Sequence, residues 1–398
     1  MLGLIFSAAF TSYTQDTQGA GRGVPAARSW PPDLTNYTRK ATTHDVASKG
    51  ASGPVLFPPV EIPGSAGGEP DIAINPLNQN QIVVHAGFGG WNGNAPNFVS
   101  NDGGLTWATR NQIPNPPGAP NTSGCPCDLT QDYGLDGNLY GTYLTGNTDI
   151  FSASNTNPFA NLFSYFLVLG NAQLTDFNGT LGAADQPWLL TNVDPTTPGQ
   201  TNTYVGYDDF NFSPVRTRVS AAIGTNPPDF VTDNQTGATA GGGINPGHRL
   251  ATDPRTGAIY SLYQTCTAGC GGSPKTIDYT LNRSLDAGTT WTLNGSGTGI
   301  AVATGITVQP TPKFGTVNAL LGGIDHAAVN PTTGEVFVVF GDDNGSGGNA
   351  IFIRQITWSS ATPTTAILGT VHQVSLPGAQ AALPSVAVAP NGTVGVLY

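Results

Sequence analysis

The chain has 398 residues and a formal net charge of -11, with 10% charged and 38% hydrophobic side chains. The acidic charge argues against a nucleic-acid partner, because binding phosphates requires basic patches. No run of 18 apolar residues occurs, so no membrane span is expected. The low charge does not match classical disorder, and 53 glycines with 32 prolines indicate many turns.

The first predicted element is an N-terminal segment, residues 1–50. Residues 2–10 are apolar and match either the remnant of a signal peptide, although a basic leading region is absent, or an ordered strand. Residues 11–50 are polar and rich in Thr, Gln, Gly and Pro, as is typical of an extended arm or linker.

A short motif recurs through the rest of the chain. Each copy is a short apolar strand, then a turn of the Asn/Asp-Pro or Asp-Gly kind, then a second strand. The copies begin roughly sixty residues apart, a period expected for four-stranded propeller blades with long loops. They are residues 70–76, 127–132, 187–194, 248–254, 325–331 and 384–390. This repeat predicts an all-β fold, a six-bladed β-propeller over residues 51–398. Its last blade is either incomplete at Tyr398 or completed by an N-terminal strand, for which Val55–Ile62 is a candidate.

Two stretches, Ser100–Trp107 and Ser284–Trp291, match the pattern Ser-x-Asp-x-Gly-x-Thr-Trp. The pattern suits a hairpin turn, because Asp and Ser side chains bond nearby backbone, Gly accepts a positive φ and Trp buries apolar surface. It resembles the Asp-box, or BNR repeat, of sialidase-like β-propellers, and that resemblance implies a structural role. The residues are Ser100, Asp102, Gly104, Thr106 and Trp107 in the first copy and Ser284, Asp286, Gly288, Thr290 and Trp291 in the second.

In a propeller the first strand of each blade lines the axis, so the strand motif predicts which side chains meet at one mouth. Aligned on their turns, the copies place Asp71, Asp128, Trp188, Arg249, His326 and Ser385 at one position, and His248 and Asp325 directly before two of them. The ring predicts either a water-filled polar channel or a ligand site. Its ligand-binding candidates are Trp188, His248, Arg249 and His326, together with Trp91, a loop residue suited to stacking on a sugar or to packing down.

The resemblance to sialidases does not extend to their catalytic residues. Sialidases clamp a sugar carboxylate with three arginines, because a guanidinium matches a carboxylate bidentately. No Lys or Arg lies between Ala51 and Trp107, where the first clamp arginine belongs, and Arg249 alone suits the clamp. Another hydrolase would use two rim carboxyl groups as acid and base, and the candidates are Asp71, Asp128, Asp185 and Asp325. We therefore favour a secreted or cell-surface module that binds a carbohydrate or protein, with glycoside hydrolase as the alternative.

Asp342, Asn344 and Ser346 resemble the first half of a calcium-binding loop. The twelfth position, which requires an acidic residue in an EF-hand, is Ile353, so the alternatives are a looser calcium site and an Asx-rich turn.

Four cysteines favour disulfides in an extracellular protein. There are three alternatives. Cys266 and Cys270 form a bridge with each other, or they are cross-linked to Cys125 and Cys127, or the four thiolates hold a zinc ion. An N-terminal arm together with an unfinished last blade also predicts self-assembly by strand exchange, because an open sheet edge templates pairing.

Overall fold

The computed structural model describes residues 37–38, 62, 70–85, 97–110, 113, 126–146, 148–159, 184–238, 248–270, 275–308, 313–314, 317–318, 325–343, 348–360 and 365–398. All regular elements in these ranges are β-strands, 24 in number. No helix that could cross a membrane occurs within them.

The strands form seven antiparallel sheets, six of which follow one another along the chain. The first sheet contains β2 (Asp71–Ile74), β3 (Ile82–His85), β4 (Asn97–Ser100) and β5 (Thr106–Arg110), with β1 (Tyr37–Thr38) outside β5. The second contains β6 (Cys127–Tyr133), β7 (Leu139–Leu144) and β8 (Ile150–Asn155). The third contains β9 (Ala184–Val193), β10 (Thr201–Asp209), β11 (Arg216–Ile223) and β12 (Phe230–Ala238).

The fourth sheet contains β13 (Arg249–Thr252), β14 (Ile259–Ala268), β15 (Lys275–Ser284) and β16 (Ile300–Val308). A separate hairpin follows, β17 (Lys313–Phe314) with β18 (Val317–Asn318). The fifth sheet contains β19 (His326–Val329), β20 (Val336–Asp343), β21 (Asn349–Trp358) and β22 (Ala366–Gln373). The sixth contains β23 (Ser385–Val388) and β24 (Val394–Leu397).

Apolar side chains pack each sheet face to face against the next. Tyr143 of the second sheet shares a cluster with Val83 of the first, and Val205 of the third shares one with Ile150 of the second. The clusters between later sheets contain the pairs Val219 with Leu250, Leu262 with Val338, and Val339 with Val386. Burial on both faces explains why a strand such as β7 is buried at every position.

The first strands contact one another in succession, β2 with β6, β6 with β9, β9 with β13, β13 with β19 and β19 with β23. This arrangement confirms the predicted all-β fold of successive four-stranded antiparallel sheets and is consistent with a propeller.

The two Ser-x-Asp motifs adopt the same turn after the third strand of their sheets. In the second copy, Ser284 Oγ donates to Asp286 Oδ1 (2.8 Å) and accepts the Gly288 N–H (2.9 Å). Asp286 accepts the N–H and the hydroxyl of Thr290 (2.8 and 2.7 Å), and Trp291 Nε1 donates to the carbonyl of Gly288 (3.1 Å). Ser100, Asp102, Gly104, Thr106 and Trp107 form the equivalent hydrogen bonds in the first copy.

Replacing Ser284 with alanine is expected to lower the free energy of unfolding by about 1–2 kcal/mol, because the buried Gly288 N–H loses its acceptor. Urea denaturation would measure this change. Thr289→Ala is the control within the same turn, because the Thr289 side chain is exposed. An equal loss for both variants would contradict a specific role for the hydrogen bond.

Of the predicted N-terminal arm, only β1 lies within the described residues, and it pairs with β5, Tyr37 opposite Trp107. The predicted closing strand Val55–Ile62 lies outside the described residues except for Ile62, which packs against the apolar cluster of the first sheet that contains Ile82 and Trp107. The arm as an assembly element stays a prediction.

Cys266 and Cys270 form a disulfide at a Cα–Cα distance of 5.7 Å. This confirms the predicted small loop bridge. It rules out both the four-thiolate zinc site and the cross-link of this pair to the other cysteines. Cys127 is disulfide-bonded as well, and Cys125 lies outside the described residues.

Candidate functional site

A hydrogen bond that repeats between neighbouring first strands defines the equivalent positions around the site. In each case a side chain accepts the backbone N–H of the next sheet's first strand. The pairs are Asp71 Oδ2 with Gln131 N (2.6 Å), Thr130 Oγ1 with Leu189 N (2.7 Å) and His326 Nδ1 with Val386 N (3.2 Å). The three acceptors, Asp71, Thr130 and His326, therefore occupy equivalent positions. Thr130 also directly precedes the donor Gln131. Trp188 and Ser385 directly precede the donors Leu189 and Val386, so they occupy the same position in their own sheets.

Sequence alignment on the turns assigned Asp128, and not Thr130, to this position. Asp128 lies two residues earlier, where the pairing of β6 with β7 is irregular and φ is 45°. Gln186, two residues before Trp188, has a similar φ of 53°. A bulge adds residues that a spacing-based alignment cannot detect, and bulges are over-represented beside active sites. Burial lowers the pKa of the Arg249 guanidinium, and Asp128 is nevertheless close enough to oppose that shift with its charge.

Arg249 lies at the centre of the cluster and is 7% exposed. Its guanidinium carbon is 4.4 Å from the ring centroid of Trp188, a cation–π contact. Nη1 donates to the carbonyl of His248 (3.0 Å), and Nε has no hydrogen-bond partner. His326 meets Trp188 edge to face, with ring centroids 5.6 Å apart. Three predicted ligand-binding residues from successive sheets therefore share one cluster.

The two histidines of the cluster are neutral. Burial, with the charge of Arg249, lowers the pKa of His248 to about 3 and that of His326 to about 4. His248 Nδ1 is 3.3 Å from the carbonyl of Tyr207, which can only accept, so this nitrogen bears the hydrogen. Nε2 lies 2.8 Å from Ser261 Oγ, and that hydroxyl donates to Thr236 Oγ1 (2.8 Å). Arg249 therefore carries the only full positive charge in this part of the described structure.

Carboxyl groups surround Arg249, and burial changes their protonation. Burial raises the pKa of Asp71 to about 7, although the hydrogen bond from the Gln131 N–H acts to lower it. Burial also raises the pKa of Asp325 to about 7, although the charge of Arg249 acts to lower it. Burial and the nearby charge of Asp185 raise the pKa of Asp208 well above its usual range. Asp208 and Asp325 are fully buried. Neither oxygen of Asp208 accepts a hydrogen bond, nor does Oδ2 of Asp325.

Asp208 was absent from the sequence-derived site residues. It belongs to the second strand of its sheet and faces Asp185 of β9 across the pair of strands. The sequence shows an acidic pair, 208–209, at the end of a strand-like run, a pattern that is typical of a loop and does not indicate facing buried carboxyl groups.

The remaining predicted site residues lie apart from this cluster or outside the described residues. Trp91, Asn344 and Ser346 belong to the undescribed part. Asp342 and Asp343 are the last two residues of β20. Asp342 accepts a hydrogen bond from the backbone N–H of Asp343 (2.7 Å), and burial raises the pKa of Asp342. Within the described ranges, no three His, Cys, Asp or Glu side chains are grouped so as to hold a metal ion. The calcium loop stays a prediction.

The other arginines with described side chains are engaged elsewhere. Arg218 forms a buried ion pair with Asp233 (2.8 Å) and Arg255 pairs with Asp253 (2.8 Å). Arg216 stacks on the ring of Phe212, and Arg283 stacks on the ring of Trp358. Arg354 donates to backbone carbonyls, among them that of Gly369. Among the described side chains, no three-arginine clamp assembles around Arg249.

Comparisons with known proteins gave only distant likenesses. No protein-family model and no curated protein matches the sequence. A variant of the Aleuria aurantia lectin in complex with Fucα1-6GlcNAc is 12% identical, with a TM-score of 0.44 over 82% of this chain and 87% of that one. An α-L-arabinofuranosidase from Fusarium graminearum in complex with an iminosugar inhibitor is 12% identical, with a TM-score of 0.43 over 80% and 83%. An exo-1,5-α-L-arabinanase from a bovine ruminal metagenomic library is 12% identical, with a TM-score of 0.39 over 76% and 96%. At these identities and TM-scores, the likenesses assign no sugar, reaction or site residue to this chain.

Proposed function

We propose that the protein is a secreted or cell-surface, six-bladed sialidase-like propeller that binds a carbohydrate at the cluster around Arg249. The observation that carries this proposal is the set of polar groups with unused hydrogen-bonding capacity beside Trp188. It comprises Arg249 Nε, Trp188 Nε1, both oxygens of Asp208 and one oxygen of Asp325.

Sugar hydroxyls both donate and accept hydrogen bonds, and their ring faces are apolar. A site for such a ligand combines a few convergent polar groups with aromatic surface. Trp188, Asp71 and His326 retain partial exposure at the cluster, while Asp208 and Asp325 lie buried beneath. The partly exposed residues are therefore suited to direct contact, and the buried ones set the local charge.

Glycoside hydrolysis is the second candidate, and the protonation of Asp71 favours it. A general acid works best when its pKa is close to the working pH. The pKa of Asp71 is about 7 and the residue retains partial exposure, which suits a group that holds a proton at neutral pH beside a ligand. Asp325 has the same pKa but is fully buried, which suits a supporting role.

Secretion is supported by the Cys266–Cys270 disulfide, because such bridges persist in oxidising compartments. A calcium ion near Asp342, a protein ligand at the rim and self-assembly through the N-terminal arm remain predictions.

The test combines a glycan array with a panel of fluorogenic glycosides, using the wild type, Asp71→Asn and the control Asp229→Asn. Asp229 is exposed and lies in the connection between β11 and β12. A binding module is expected to retain an array ligand without turnover, with affinity about tenfold weaker in Asp71→Asn because the carboxylate acceptor is lost. Turnover that disappears in Asp71→Asn alone would support the hydrolase instead. The absence of both binding and turnover would overturn the proposal.

A further inference from the structure

The balance of charge around Arg249 indicates which class of carbohydrate suits the cluster. Four carboxyl groups are close enough to influence the guanidinium, and they belong to Asp71, Asp128, Asp208 and Asp325. Asp185 and Asp132 add a fifth and a sixth, because their charges act on Asp208 and on Asp71, respectively. The other titratable groups facing these carboxyl groups are the neutral His248 and His326 and the hydroxyl of Tyr279. The cluster therefore has one cation for six carboxyl groups.

That cation does not form a direct ion pair. The ion pairs within 4.0 Å among the described side chains involve Arg218 and Arg255, and none involves Arg249. The guanidinium faces the Trp188 ring and the carbonyl of His248. Asp208 and Asp325 are thus fully buried carboxyl groups with unpaired oxygens, an arrangement that costs free energy unless a proton or a cation compensates them.

We infer that the carbohydrate bound at this cluster is an amino sugar, whose ammonium group supplies the positive charge that the carboxyl groups lack. An ammonium group donates three hydrogen bonds and accepts none, so it complements carboxylate oxygens. A neutral N-acetylated sugar offers no charge, and an acidic sugar adds to the repulsion. This inference rests on the proposed carbohydrate-binding function and names its ligand class.

The charge balance also predicts that ligand binding is linked to proton release. At pH 6, Asp71 and Asp325 hold protons for most of the time, since the pKa of each is about 7. A bound ammonium favours their ionised forms and expels protons into solution. A neutral sugar of the same size has no such effect, so proton release separates the two ligand classes independently of affinity.

The experiment is isothermal titration calorimetry at pH 6 in two buffers of different ionisation enthalpy, with a glucosamine trisaccharide and its fully N-acetylated counterpart. The glucosamine form is expected to bind at least about tenfold more tightly and to release about one proton per site. The N-acetylated form is expected to release none. Asp325→Asn should reduce both the preference and the proton release, while Asp229→Asn should change neither.

The outcomes separate the two levels of the proposal. Equal or tighter binding of the N-acetylated form, or binding of the glucosamine form without proton release, would overturn the amino-sugar inference and leave carbohydrate binding intact. Binding of neither trisaccharide nor of any array glycan would overturn carbohydrate binding itself. If Asp325→Asn fails to fold, the two wild-type titrations still decide the inference.

Discussion

Replacing Arg249 with methionine is expected to lower the free energy of unfolding by about 3–5 kcal/mol at pH 8, because buried carboxylates lose their one positive neighbour. Methionine preserves much of the apolar contact with Trp188, so the loss reports mainly on charge. At pH 5 the loss is expected to be smaller, since protonation can neutralise Asp71 and Asp325. Urea denaturation at both pH values measures the difference.

Arg255→Met is the matched control for this substitution. Arg255 follows the same first strand and forms a 2.8 Å ion pair with Asp253, but its side chain is 35% exposed. The Asp253 side chain is 3% exposed, but the Arg255 backbone N–H would still donate to it, so a loss smaller than that at Arg249 is expected at either pH. A similar loss for both variants, or a loss at Arg249 that does not change with pH, would contradict the assigned charge balance.

The features predictable from the sequence are those formed by neighbouring residues. The Ser284–Trp291 turn closes its hydrogen bonds within eight residues, so the side-chain pattern determined it. The strand–turn–strand motif likewise predicted first strands such as β13 and β19, because alternation and turn chemistry are local properties. The meeting of Trp188, Arg249 and His326 followed from these local features and from the period of the repeat.

The features that escaped prediction depend on contacts between distant strands. The bulge at Asp128 shifted the alignment by two residues, and only the hydrogen bond from Leu189 to Thr130 reveals it. Asp208 is a site residue because β10 places it opposite Asp185 inside the protein. Its protonation results from burial, and the depth at which a strand end lies cannot be determined from its sequence.

The pH dependence of stability tests these buried carboxyl groups. Asp325 has a pKa of about 7 in the folded state and a usual value of 3.8, with burial as the cause. The folded protein therefore binds the proton more tightly than the unfolded chain does. The stability contributed by this group is complete below pH 3.8 and is lost as the pH rises through 7. Wild-type stability is thus expected to fall between pH 5 and pH 8.

Asparagine resembles the protonated carboxyl group, so the stability of Asp325→Asn relative to the wild type is expected to rise by roughly 1–4 kcal/mol from pH 5 to pH 8. Asp194 supplies the contrast. Burial raises its pKa, but hydrogen bonds from Asn202 and from Thr196 and Thr197 outweigh burial and lower it to about 2. Asp194 is therefore ionised in both states throughout this pH window. Asp194→Asn should destabilise by the same amount at pH 5 and pH 8, as measured by urea denaturation. A gain for Asp325→Asn that is equal at both pH values would show that its cause is packing and not the buried charge.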